Sequence, residues 1–277
     1  MARRQRLGAA ERRLILIDSL QWCANNAVYY LGLIGAATYD LGGDAFLIAG
    51  ITLTRNLCTS VGNAAAGPVI DRVGPRWTAI GTLLFSAVTS LGIGLSPTSV
   101  PVLVLAAVSL GLAGGFINTC TRSFPGYLDD TETGLQRING YLMVFGNIAF
   151  TAGPIVGGVL VGAFPTRSVY LFMSAATGIA AVVAWGCRER LRPPRGEGEE
   201  PFGIVDGIVQ GARLTWANSS LRLMFVAGFL GYFAFGAFDS LESLFYRDVL
   251  EVDIVWLGWL SAVVGLTGAN GPYPPPP

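Results

Sequence analysis

Long apolar runs alternate with short polar connections along most of this chain. A run of about 18 or more apolar residues can cross the hydrocarbon core of a bilayer as a helix. Because lipid offers no partner to an open backbone amide, such continuous runs predict helices. The apolar segments cover residues 14–37, 46–66, 77–95, 101–121, 139–163, 168–187, 221–245 and 254–269. The first seven predict membrane-spanning helices, and the last is marginal because Gly265 and Gly268 interrupt it.

Composition agrees with a membrane protein and excludes several classes of enzyme. The 277 residues are 52% hydrophobic and 13% charged, whereas about 25% of the residues in a soluble domain are charged. The chain has no histidine, which rules out a Ser-His-Asp triad and a histidine zinc helix. The cysteines form no Cys-x-x-Cys pair and are predicted to pack as small apolar side chains. We therefore predict an all-α membrane protein that is not an enzyme and that holds no metal and no cofactor.

Arginine, the only basic residue type in the chain, is strongly biased to one side of the predicted spans. Fifteen arginines fall on the side of the N-terminus, Arg167 and Arg247 fall on the other side, and Arg55 lies inside the second span. The positive-inside rule then predicts a cytoplasmic N-terminus in a multi-pass protein of the cytoplasmic (inner) membrane. A seven-helix receptor, whose N-terminus would lie outside, is disfavoured. The 18 acidic residues balance the 18 basic ones, so no nucleic-acid partner is predicted.

One long polar connection divides the chain. Residues 192–200 are rich in Pro, Gly and Glu and predict a flexible linker. Residues 204–216 have the weakly amphipathic pattern of a surface helix. The predicted organisation is a cytoplasmic N-terminus (1–13), a six-helix bundle (14–187), a cytoplasmic linker with an interfacial helix (188–220), the start of a second bundle (221–269) and an irregular Pro-rich tail (270–277).

A charged, Gly-rich decapeptide at 67–76 lies between the second and third spans and predicts a short turn. It resembles the loop between the second and third helices of the major facilitator superfamily, whose pattern is Gly-x-x-x-Asp-Arg/Lys-x-Gly-Arg-Arg/Lys. Pro75 departs from that pattern. The matching residues are Gly67, Asp71, Arg72, Gly74 and Arg76. The resemblance implies that these residues form a cytoplasmic charge latch, which holds one conformation and is released in the other.

The fifth span carries a second resemblance to the same family. Its glycines and proline follow the antiporter motif Gly-x8-Gly-x3-Gly-Pro-x-x-Gly-Gly, with Ala149 in place of one glycine. The matching residues are Gly140, Gly153, Pro154, Gly157 and Gly158. We expect the glycines to let a neighbouring helix approach closely and the proline to bend the helix. The alternative is that Gly and Pro are simply common in membrane helices.

The resemblance implies the major facilitator fold, with an N-terminal six-helix bundle followed by the first two helices of the second bundle. Known members have about twelve helices in two halves, so the Pro-rich end suggests a truncated transporter. The implied function is secondary active transport by alternating access, as the efflux of a small amphipathic compound against protons. The fourth span lacks the arginine of many proton-coupled drug exporters, which fits better with branches resembling macrolide or siderophore exporters. The alternatives are a facilitator-type importer of a small metabolite and a non-transporting membrane fragment. The expected partners are the lipid bilayer, a small-molecule substrate and protons.

Polar residues at membrane depth are the candidates for the substrate path, because burying them is costly unless they have a function. Asp18, Gln21, Asn25 and Tyr29 share one face of the first span, with Asn26 beside them. Near the cytoplasmic end, Asp18 could instead snorkel to water. In the second span, Arg55 could bind an anionic substrate or pair with an acid, or serve as a structural partner for a carbonyl or an Asn.

Asp239 and Glu242, one turn apart in the seventh span, are the candidates for proton coupling. A buried carboxyl group holds its proton at a pH closer to neutral, which is what proton coupling needs. The alternative is a solvated helix end with Arg247 and Asp248 nearby.

Overall fold

The computed structural model describes residues 7–189, 191 and 204–269, and every regular element in these ranges is helical. Side chains of the last three helices are described at 209, 212–231 and 241–263. The first helix, α1, is continued without a break by a π-helix, which is followed by eight further α-helices. They are α1 (Ala9–Ala27), the π-helix (Val28–Asp40), α2 (Ala45–Val73), α3 (Pro75–Leu95), α4 (Val100–Ser123), α5 (Glu132–Ala163), α6 (Ser168–Trp185), α7 (Ile204–Ala217), α8 (Ser219–Asp248) and α9 (Ile254–Ala269).

The first predicted span, 14–37, is formed by α1 and the π-helix together, and each of the other spans falls on one α-helix. Within the described ranges, the five helices α2 to α6 are long and apolar enough to cross a membrane. Shorter apolar stretches lie in α8, at Ser219–Gly231, and in α9, at Ile254–Val263. The predicted surface helix at 204–216 forms as α7, where Leu214 and Trp216 are more than half exposed. The predicted tail, 270–277, and the predicted flexible linker, 192–200, lie outside the described residues.

The decapeptide at 67–76 is not a loop, which corrects the prediction. Helix α2 continues through Pro68 to Val73, and α3 begins at Pro75. The turn is Gly74 alone, whose φ of +90° lies in the region that favours glycine. A proline at the first position of α3 costs no hydrogen bond, because that backbone group would have no partner in the helix. Asp71 and Arg72 of the motif therefore lie in the last turn of α2, where their side chains are exposed.

Helices α1 to α6 form one bundle. Helix α1 packs on α5 and α6, α2 packs on α4, and α3 packs on both α4 and α6. Helix α9 packs against α5, whereas α8 contacts the π-helix and α2. The two ends of the bundle are named separately. We call the end where α1 starts the N-terminal face and the opposite end, where the π-helix finishes, the far face.

Glycines let α2 and α4 approach to backbone contact. A Cβ added to Gly111 would lie 2.6 Å from the carbonyl oxygen of Arg55. Gly115 likewise faces the backbone of Thr59, and Gly62 of α2 faces the carbonyl of Leu112. Small residues at such crossings replace the hydrophobic driving force that helices lack in lipid. The close crossing places the α2 residues around Arg55 directly beside α4 and beside a cavity.

Candidate substrate-binding cavity

A cavity of about 630 Å³ lies inside the bundle between α1, α2, α4 and α5. Its volume is within the range of pockets that hold drug-sized molecules, about 300–1,000 Å³. All the residues predicted for the substrate path line it. They are Asp18, Gln21, Asn25, Asn26, Tyr29 and Arg55. The shared face of α1 is therefore a cavity wall, and Arg55 faces it from α2.

The first span holds Arg55 through two contacts, one with Tyr29 of the π-helix and one with Asn25 of α1. The guanidinium carbon of Arg55 lies 4.4 Å from the centroid of the Tyr29 ring, and Nη2 donates a hydrogen bond of 3.3 Å to Oδ1 of Asn25. A cation over an aromatic face is stabilised by about 0.5–2 kcal/mol. The Asn partner that the sequence left open is thus Asn25, and the guanidinium is held in place at the cavity wall.

Asp18 is buried in the cavity wall, with 6% of its surface exposed. It lines the cavity together with Trp22 of its own helix and Thr121 of α4. Snorkelling to water, the alternative for this residue, is therefore wrong for this structure. The carboxyl group is thus buried in the cavity wall among residues of α4 and of its own helix.

Two further buried polar atoms line the cavity without a hydrogen-bond partner among the described residues. They are Oε1 of Gln21 and Oγ1 of Thr52, whose residues are 6% and 7% exposed. A buried acceptor or hydroxyl without a partner is costly, by about 1–3 kcal/mol. A bound molecule with hydrogen-bond donors would remove that cost.

Apart from Arg55, sequence reasoning named none of the residues with which α2, α4 and α5 line the cavity. These helices add Asn56, Thr59, Ser60, Asn118, Thr121 and Phe150. The signal for α2 was present, because Thr52, Asn56 and Thr59 recur at helical spacing on the face of Arg55. Phe150 carried no such signal among the many aromatic residues. Its ring lies 6.3 Å from that of Trp22.

The far face is closed where α8 meets the end of the π-helix. The hydroxyl groups of Thr38 and Ser243 lie 3.0 Å apart in a buried hydrogen bond. Arg247 donates from Nη1 to the carbonyl oxygens of Thr38, at 2.7 Å, and Gly43, at 3.0 Å. These contacts join the first helix of the bundle to the helix that follows the linker.

Glu242 lies beside this closure and not in the cavity. It is 7% exposed and accepts a hydrogen bond from the hydroxyl group of Tyr246. The solvated helix end is therefore wrong for Glu242. Residue 239 belongs to α8, but the side chain of Asp239 lies outside the described residues.

The structure separates the residues of the predicted latch into two groups. Gly74 and Arg76 pack against the end of α6, where the backbone N–H of Arg76 donates to Glu189 at 3.1 Å. Asp71 and Arg72 are exposed on the last turn of α2, without an ion pair among the described residues. Gly67 has open space beside it. Sequence reasoning missed Glu189.

The glycines of the antiporter-like motif have three different surroundings. A Cβ on Gly153 would lie 2.5 Å from the carbonyl oxygen of Cys23 in α1, and one on Gly157 would lie 2.9 Å from Leu31. Gly158 faces Gly258 of α9, which also approaches the carbonyl of Pro154. Close approach is thus confirmed at these positions. It is wrong for Gly140, which has no atom within 4 Å of such a Cβ because this position of α5 is exposed.

Comparison with known proteins agrees with this architecture. Residues 19–274 match the Major Facilitator Superfamily. The multidrug efflux pump Tap of Mycobacterium tuberculosis is 26% identical over 93% of this chain, and the chain spans 64% of that relative's length. The multidrug resistance protein Stp of the same species is 24% identical over 75% of this chain and 35% of its own length. The putative metabolite transport protein YwtG of Bacillus subtilis is 28% identical over 57% of this chain and 36% of its own length.

Solved structures share the fold at low sequence identity. A mutant of the nucleoside transporter NupG superposes with a TM-score of 0.75 and 13% identity, over 94% of this chain and 65% of its own. A bacterial homologue of the human lysosomal transporter Spinster was solved in an inward-facing and unoccupied conformation. It superposes with a TM-score of 0.73 and 15% sequence identity, over 94% of this chain and 60% of its own. The described helices are those of an N-terminal six-helix bundle followed by the first two membrane helices of a second bundle. The match over residues 19–274 shows that this chain belongs to the Major Facilitator Superfamily.

Proposed function

We propose that this protein is a secondary active transporter that exports a small amphipathic compound by alternating access. One observation carries the proposal. The bundle holds a cavity of about 630 Å³ with Arg55 on one wall and the buried Asp18 on another. Ionisable side chains at membrane depth are retained for function more often than for packing. The six residues named for the substrate path are proposed to contact the substrate there.

The proposed cycle uses the difference between the two faces. The cavity reaches solvent-exposed residues of α2 such as Asn56 and Ser60, whereas the contacts of Thr38, Ser243 and Arg247 close the far face. Release on the far side requires those contacts to break. In this proposal the exposed Asp71 and Arg72, with Arg76, form the latch that stabilises the opposite conformation, as a two-state element requires.

The direction of transport and the coupling ion belong to the same proposal. The arginine bias supports a cytoplasmic N-terminal face in the inner membrane. Efflux is favoured by relatives named as multidrug efflux pumps and by the close packing of α1 and α5 at Gly153 and Gly157. Protons are the proposed coupling ion, with Glu242 and Asp239 as the candidate carriers. Import of a metabolite is the second candidate, because YwtG is named as a putative metabolite transport protein.

The test is efflux of fluorescent amphipathic dyes by cells that express the chain, with Arg55→Gln as the variant. We expect the initial efflux rate to fall about tenfold, since a hydrogen bond to a charged group contributes about 1.5–3 kcal/mol. Arg213→Gln, which removes an exposed arginine of α7, is the matched control and should keep the wild-type rate.

Collapse of the proton gradient should stop efflux in the same cells. Uptake of dye driven by the gradient would favour the importer. Equal rates for Arg55→Gln and wild type would exclude the cavity as the substrate path.

A further inference from the structure

A second cavity, of about 510 Å³, opens at the N-terminal face between α1, α3 and α6. Three guanidinium groups line it, from Arg13, Arg76 and Arg188, together with Trp185 and Gly186 at the end of α6. We call it the arginine pocket. It is separate from the candidate substrate cavity, because no residue lines both cavities.

The arginine side chains of this pocket have N–H donors that make no hydrogen bond to the described residues. Arg13 donates to the carbonyl oxygen of Gly186, and Arg76 donates from Nη2 to the carbonyl oxygen of Trp185. These bonds use one donor of each five-donor guanidinium group. Nε of Arg76 is buried without a partner among the described residues, and the exposed side chain of Arg188 makes no bond to any of them.

The described part of the pocket carries more positive than negative charge. Glu189 accepts from the backbone N–H of Arg76 at 3.1 Å and lies against Gly74. Among the residues that the structure describes, three guanidinium groups therefore face one carboxylate, which is itself held at the start of α3. Planar guanidinium groups bind phosphate oxygens through paired N–H donors.

The pocket is continuous with a surface suited to lipid. The rings of Trp77 and Trp185 meet edge to face at 5.4 Å, and both are about half exposed. Tryptophan at such a position marks the level of lipid headgroups. One turn before Trp185 in α6, Val182 is 76% exposed, and Leu84 of α3 is 49% exposed. A phosphate in the pocket would thus sit above an apolar surface that can hold an acyl chain.

We propose that the arginine pocket binds the headgroup phosphate of an anionic phospholipid. The arginine bias places the pocket on the cytoplasmic side, where basic pockets between helices attract anionic headgroups. A free phosphate ester shares the same chemistry, but only the lipid also uses the exposed apolar surface below the two tryptophans. The proposal depends on the chain lying in a membrane and is independent of what the substrate cavity transports.

The test measures lipid bound to the purified full chain in detergent by native mass spectrometry, with phosphatidylglycerol or phosphatidylcholine added. We expect one phosphatidylglycerol to be retained per chain, in preference to phosphatidylcholine. Arg188→Gln should weaken retention of phosphatidylglycerol about fivefold, because each basic residue near an anionic lipid surface raises the binding affinity by about that factor. Arg13→Gln with Arg188→Gln should weaken it about twenty-fivefold by the same reasoning.

Controls separate this site from general charge and from damage to the fold. Arg12→Gln with Arg213→Gln removes two exposed arginines outside the pocket and should leave retention unchanged. Arg188→Gln breaks no bond within the described residues, so its thermal unfolding should match wild type. Equal retention of both lipids, or equal loss in the control, would overturn the proposal. Displacement of phosphatidylglycerol by equimolar glycerol phosphate would instead assign the pocket to a soluble phosphate ester.

Discussion

The two halves of the first helix run through the same bundle but meet different surroundings. Along α1, polar side chains such as Asp18, Gln21 and Asn25 line an open cavity. From Val28 to Thr38 every residue is buried, and the chain is a π-helix packed against α5, α6, α8 and α9. Only its first turn, at Tyr29 and Tyr30, still lines the cavity. A helix surrounded by protein needs no polar face, whereas a helix beside a cavity needs one. The comparison shows how one continuous helical span can both line a cavity and close the far face.

The change from α to π geometry comes at this boundary. A π-helix is rare and is found most often at functional sites. Here it ends where Arg247 donates to the carbonyl oxygens of Thr38 and Gly43. Carbonyl groups at a helix end lack partners within the helix, so a guanidinium group from α8 is a suitable partner for them. The closed half is therefore held by polar contacts at its tip and by apolar packing along its length.

The largest expected effect comes from making the closure permanent. In the Thr38→Cys/Ser243→Cys variant, two thiols would replace hydroxyl groups whose oxygens lie 3.0 Å apart, close enough for a disulfide after small adjustment. Oxidation should abolish efflux, and a reductant should restore it. Each single variant, oxidised in the same way, is the control for the natural cysteines. Efflux that continues in the cross-linked protein would show that these residues do not need to separate.

The next effect tests the packing at the boundary between the two halves. Gly153→Ala places a Cβ 2.5 Å from the carbonyl oxygen of Cys23 and 2.8 Å from Cβ of Asn26. Such overpacking should lower the free energy of unfolding by about 1–3 kcal/mol. Gly140→Ala lies in the same helix with open space around it and should raise it by up to about 1 kcal/mol. Thermal unfolding in detergent compares the two, and equal destabilisation would contradict the close approach.

A smaller effect is expected for Gln21→Leu in the cavity, where stability should rise while the affinity for substrate falls. Gln21→Leu removes the buried Oε1 that has no partner among the described residues. The free energy of unfolding should rise by about 1 kcal/mol, because an unsatisfied buried group is removed. The affinity for exported dye should fall at the same time.

Ser90→Ala is the matched control for Gln21→Leu. Its hydroxyl group is also buried without a partner among the described residues, but it lies outside the cavity. Ser90→Ala should therefore gain stability and keep transport unchanged. A loss of dye affinity in both variants would mean that buried polar groups matter here only for packing.

The smallest effect on stability is expected at the N-terminal face. Asp71→Asn should leave insertion and unfolding unchanged, because Asp71 is exposed at the end of α2. We expect it to slow transport, since the latch requires the charge in one conformation. Rates are measured in vesicles with equal amounts of inserted protein, and Asp130→Asn, an exposed acid outside the motif, is the control. An unchanged rate in Asp71→Asn would remove the latch from the proposal.

Local patterns predicted the helices and one wall of the cavity. Apolar runs longer than a bilayer core specify membrane helices whatever their neighbours are, and the periodicity of Asp18, Gln21, Asn25 and Tyr29 placed them on one face. The turn was less visible, because α2 continues through Gly67 and Pro68 and stops only at Gly74. Glycine at 67 permits a turn but does not require one.

The sequence by itself determined what each helix could present, and the tertiary structure decided what it meets. Gly140 and Gly153 have the same residue type in the same motif, yet only Gly153 contacts a neighbouring helix. The sequence around Glu242 is compatible with a solvated helix end, but in the structure Glu242 is buried and accepts a hydrogen bond from Tyr246. The cavity, the closure at Thr38 and the arginine pocket all join residues far apart in the chain. Such contacts depend on which helices become neighbours, and the period of a single helix carries no information about its neighbours.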